Sequence, residues 1–213
     1  MNYLVFFFFL HNVLATFVLG MKFVKRTSGV FKNFGIALLL DAVAFLVWLF
    51  GIMQQGSLLI SVTIGAVVFL VSLVFMLRAA FEDTQASTRR LATIIGAIAV
   101  VGIFYVGHIQ PETAYISQEG FFFFNLGPLM QMLYIFGLAF TALPAIDLLT
   151  DKFKSSYAVL VRYGFIAEVV TGIMLITSKN TQVLYISGWI SGLMYLLLWT
   201  TLLFSRKAWA STS

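Results

Sequence analysis

Four polar side chains stand inside long apolar stretches of this chain and carry its capacity for chemistry: His11, Asp41, Gln131 and Glu168. An imidazole can bind or pass a proton, a carboxyl group can hold a proton or a cation, and an amide can orient a polar ligand. Together they are candidates for a ligand or proton site. An ionised carboxylate at the centre of a bilayer costs about 2.5–3.5 kcal/mol on insertion scales, so Asp41 and Glu168 must turn into a bundle and meet a partner or a proton. Two arrangements satisfy that requirement. His11, Asp41 and Glu168 converge on one small polar cavity, or each makes a separate interhelical hydrogen bond that only fixes packing. Asn12, next to His11, could serve the same packing role.

Other chemistries lack their residues. The chain has two histidines, His11 and His108, and no cysteine, so no thiolate metal site or disulfide is open to it, and the histidines lack a paired-metal spacing. No HExxH, Gly-x-Ser-x-Gly or phosphate-binding glycine loop occurs. A retinal Schiff base would need a lysine in the last apolar stretch, Val183 to Phe204, which contains none, and a bis-histidine haem would need a second deep histidine. No catalytic residue, metal or cofactor is therefore assigned, and the chain is expected not to be an enzyme.

The polar residues must be positioned by membrane helices. Of 213 residues, 61% are hydrophobic and 10% charged, with a mean hydropathy of +1.01, all outside the range of water-soluble domains. A crossing helix needs about 20 apolar residues. Seven stretches meet that need, approximately Tyr3 to Met21, Phe34 to Met53, Leu58 to Leu77, Leu91 to Gly107, Phe121 to Ile146, Tyr157 to Thr177 and Val183 to Phe204. The expected architecture is all-α, a single seven-helix transmembrane domain over residues 1–213. At 1.5 Å per residue, Asp41 lies roughly 13 Å beyond Lys32 and Glu168 roughly 20 Å beyond Lys154, both near the midplane.

Basic residues orient the helices. Lys22, Lys25, Arg26 and Lys32 follow the first stretch, Arg78, Arg89 and Arg90 the third, Lys152, Lys154 and Arg162 flank the entry to the sixth, and Arg206 and Lys207 follow the seventh. Only Lys179 falls on the other side. Short basic loops stay cytoplasmic, so the amino terminus is expected outside and the carboxyl end inside a multi-pass protein of the cell membrane. The same distribution places the positive charge against the anionic headgroups of the lipid bilayer, with no contiguous patch for nucleic acid. Asp147 and Arg162 fall near the cytoplasmic ends of adjacent helices, where a structural ion pair is expected.

The fifth stretch carries Asn125, Gly127 and Pro128 toward its outer end and Pro144 toward its inner end. Proline lacks the backbone donor that a helix interior requires, so Pro144 is expected to kink the helix, while Pro128 fits a first turn at little cost. Gly127, Pro128 and Pro144 are hinge candidates. Small residues recur four apart in Ser61 and Gly65, Ala92 and Gly96, Ser187 and Ser191, and Gly188 and Gly192, a spacing that lets backbones approach and is expected to serve internal packing.

From Tyr115 to about Tyr163, an outer loop ending Ile116-Ser117-Gln118-Glu119-Gly120, then Asn125-Leu126-Gly127-Pro128-Leu129, then a basic turn at Lys152 to Lys154, the chain resembles the amino-terminal seven-transmembrane sensor region of some bacterial and archaeal histidine kinases. The similar segment is about a quarter of the sequence. In that family the last helix leads to a kinase module, whereas here nine residues follow Phe204. The resemblance implies a non-enzymatic sensor or receptor-like protein that answers an unknown small ligand and acts through a cytoplasmic signalling partner. Two other expectations stand beside it: an accessory subunit of a larger membrane complex, favoured by the short loops and small-residue stripes, and a small proton- or cation-coupled transporter resting on Asp41 and Glu168.

Overall fold

A computed structural model describes residues 3–54, 58–109, 113–116, 122–125, 127–136, 146–147, 150–151, 155–178 and 180–204. Its elements in chain order are helices α1 (Tyr3–Val24), α2 (Gly29–Met53), α3 (Leu58–Ala80) and α4 (Ala86–Ile109), strands β1 (Thr113–Ile116) and β2 (Phe122–Asn125), and helices α5 (Pro128–Phe136), α6 (Ser155–Thr177) and α7 (Thr181–Phe204). The protein is helical, and five of its helical stretches are long and apolar enough to cross a membrane: Phe6–Val24, Gly29–Met53, Thr63–Ala80, Ala86–Val106 and Tyr185–Phe204. By length and composition it is a multi-pass membrane protein.

The helices extend past the apolar stretches because polar residues fold into their ends. Ser28 stands extended before α2 and its carbonyl accepts from Lys32 N at 2.9 Å. Asn180 caps α7, its Oδ1 accepting from Gln182 N at 2.9 Å, which satisfies a donor that the first turn leaves open. The turn after α3 is held by Thr84, whose hydroxyl donates to Phe81 O at 2.6 Å.

One expectation needs correction. The fifth stretch is not helix over Phe122–Asn125, which pairs antiparallel with Thr113–Ile116, from Thr113 opposite Asn125 to Ile116 opposite Phe122. A run of aromatic residues fits an extended, pleated backbone as well as a helix, and a partner strand nearby decides between them. The helix starts instead at Pro128, where the missing N–H costs nothing and the fixed φ suits a first turn, as expected for that residue. Pro144 lies outside the described residues.

Among the described helices each packs on its neighbours in sequence, and α7 returns to pack on α1, which closes a ring; β1 packs on α3. Helices α1 and α7 run parallel: Phe8 meets Trp189 edge-on at 5.6 Å, and His11, further along α1, meets Thr200. Close backbone approach builds the α1–α2 seam. A Cβ on Gly35 would stand 2.6 Å from Val24 N, and one on Gly20 would stand 2.9 Å from Gly35 O. Gly65 admits the Trp48 indole, Gly96 meets Val74, and Gly192 meets Phe8, so these small residues serve packing within the bundle. Phe23, Phe34, Leu38, Trp199 and Leu202 fill the core. Leu14, Phe17, Leu46, Ile98, Val101, Leu193 and Leu197 face outward. Lipid is the natural cover for so much exposed apolar surface.

After α3, Arg89 Nη1 pairs with Glu82 Oε1 at 3.0 Å, and Asn33 Nδ2 donates to Glu82 Oε2 at 2.9 Å, tying α2 to the turn between α3 and α4. Arg162 Nη2 pairs with Asp147 Oδ1 at 2.5 Å, the ion pair expected from sequence.

Candidate functional site

Asp41 is twelve residues from either end of α2, or about 18 Å from each. In a hydrocarbon core about 30 Å thick that is the midplane. Its side chain is buried, and the hydroxyl of Ser72 on α3 bonds its Oδ1. Ser72 is itself fully buried, and its Oγ also lies 2.7 Å from Phe69 O, one turn earlier on α3. Among the described residues Asp41 has no ion-pair partner. Among the described residues the carboxyl group therefore answers to a single hydroxyl.

His11 is served by a different pair of helices. Its Nε2 lies 3.1 Å from Thr200 Oγ1 on α7, while its Nδ1, and Oδ1 of the adjacent buried Asn12, have no hydrogen-bond partner among the described residues. Thr16 donates to Asn12 O at 2.6 Å within α1. The described contacts thus join His11 to Thr200 and Asp41 to Ser72, and do not join His11 to Asp41. Gln131 sits half-buried on α5, its backbone N–H bonded to Gly127 O at 3.0 Å. Glu168 lies mid-way along α6, and its side chain is outside the described residues. No group of three or more His, Cys, Asp or Glu side chains that could hold a metal occurs among the described residues.

Ser72 and Thr200 were not singled out from sequence, because a hydroxyl in an apolar helix can satisfy itself on the carbonyl one turn back and carries little signal. For Ser72 a signal did exist. Asp41 precedes the end of α2 by twelve residues and Ser72 follows the start of α3 by fourteen. In an antiparallel hairpin those positions are level. Thr200 offered no such count, since α1 and α7 lie at opposite ends of the chain.

Separate pairs have a measurable consequence. Thr200→Val should cost about 0.6–2 kcal/mol, the range for interhelical hydrogen bonds in bilayers. Its effect should add to that of Asp41→Asn within about 0.5 kcal/mol when thermal unfolding of the two single variants and the double variant is compared. Non-additivity would return His11 and Asp41 to one network.

Comparison with protein-family models, with curated proteins and with solved structures found no match to this chain.

Proposed function

We propose that the protein is a non-enzymatic seven-transmembrane sensor or receptor-like protein of the cell membrane, amino terminus outside, that works through a cytoplasmic signalling partner. The observation that carries this reading is the mid-helix carboxyl group of Asp41, buried against one hydroxyl with no ion-pair partner among the described residues. Intramembrane acids are expensive, and where no counter-charge explains them they mark a binding or proton-handling site. The closed ring supports the same reading. A small polar ligand or a proton acting at Asp41–Ser72 or His11–Thr200 would alter contacts that hold α2 to α3 and α1 to α7, and so shift the inner helix ends. Glu168, Gln131 and the hinge candidates Gly127, Pro128 and Pro144 belong to the same proposal as candidate ligand-site and hinge residues.

The native chain has no cysteine, so paired spin labels can be placed cleanly at Arg26→Cys and Phe204→Cys, on the inner ends of α1 and α7. In lipid vesicles the distance distribution between them should change between acid and neutral pH, without net solute uptake. A fixed distance accompanied by uptake that depends on Asp41 would make the protein a transporter. Loss of monodispersity whenever other proteins are stripped away would make it a subunit of a larger assembly.

A further inference from the structure

We propose that Asp41 binds a proton. The inference deepens the reading of Asp41 as a ligand site and rests on its placement in the membrane. It comes from counting hydrogens. Three oxygens stand in a row, Asp41 Oδ1, Ser72 Oγ and Phe69 O, and both neighbouring pairs are at hydrogen-bonding distance. A carbonyl oxygen has no hydrogen to give, and a serine hydroxyl has one. With Asp41 ionised, that single hydrogen serves either Asp41 or Phe69 and leaves the other pair of oxygens facing each other bare. With Asp41 protonated the chain is complete: the carboxyl O–H donates to Ser72 Oγ, and the Ser72 O–H donates to Phe69 O.

Ser72 Oγ and Phe69 O stand 2.7 Å apart, the ordinary length of an O–H···O bond. Among the described residues nearby charges offer no substitute. The helices packed on α2 are α1 and α3. Their titratable side chains are Tyr3, His11 and Lys22 on α1 and Arg78 on α3. His11 is engaged with Thr200, and the other three lie exposed toward helix ends. Losing the proton would leave a carboxylate that draws the Ser72 hydroxyl away from Phe69 O, so protonation of α2 is read out as a change in a bond on α3.

Infrared spectroscopy of the full chain in lipid vesicles tests this directly. At neutral pH the protein should show a protonated carboxyl C=O stretch that moves on exchange into heavy water. The band should disappear in Asp41→Asn, shift in Ser72→Ala, survive in Glu168→Gln, and stay unchanged when potassium replaces sodium. An unaltered spectrum in Asp41→Asn, or a carboxylate band at neutral pH that responds to sodium, would overturn the proposal. Should Asp41→Asn fail to fold, the shift in Ser72→Ala decides alone. The outcome is independent of the spin-label experiment: immobile helices would leave the band in place, and moving helices with an ionised Asp41 would refute only the proton.

Discussion

Leucine at Gly35 is expected to break the α1–α2 seam and to lower thermal stability more than any other single glycine replacement in the first two helices. Even an alanine there must move something, because its Cβ would lie 2.6 Å from the backbone nitrogen of Val24 and 2.8 Å from Phe23 Cβ. Neither neighbour is the far end of a flexible side chain. Overpacking of this kind costs about 1–3 kcal/mol, and a leucine forced between two backbones belongs at or above the top of that range. Gly102 supplies the control, since a Cβ there meets nothing within 4 Å. In mild detergent, Gly35→Leu should unfold well below wild type and Gly102→Leu close to it. Equal midpoints for the two variants would mean that the helices are not in contact at Gly20 and Gly35.

The second large effect is an asymmetry at the buried acid. Ser72→Val removes the partner that the described residues give the Asp41 carboxyl and leaves that group without its hydrogen bond, at a cost of about 1–3 kcal/mol. Asp41→Leu in the same chain removes the group that was left unpaired. The double variant Asp41→Leu/Ser72→Val should therefore be more stable than Ser72→Val alone, with a coupling of about 0.5–3 kcal/mol between the two sites. Equilibrium unfolding of the four members of the cycle measures it. Effects that add within about 0.5 kcal/mol would show that Asp41 does not depend on Ser72.

Both predictions use features that the sequence disclosed unequally. Helix positions were legible because apolar stretches of crossing length are set off by basic and turn-forming residues; α2, α3, α6 and α7 begin and end within a few residues of the stretches read from hydropathy. The Arg162–Asp147 pair was legible for a similar reason, being two opposite charges near one end of neighbouring helices. The hairpin was hidden. Phe122 to Phe124 is apolar in either conformation, and only pairing with Thr113–Ile116, a contact outside the run itself, turns it into a strand. Asp41 was legible as a buried acid because few side chains are so costly at that depth, whereas its partner was one hydroxyl among many.

Placement of the ends of the ring is the premise on which the proposed direction of signalling depends. Single cysteines introduced one at a time at Glu112, Lys179, Lys25, Arg90 and Lys207, in a chain with none of its own, can be challenged on intact cells with an impermeant thiol reagent. Positions 112 and 179 should label from outside, while positions 25, 90 and 207 should label only after the membrane is opened. Labelling of position 25 from outside would invert the protein and contradict the proposed direction of signalling.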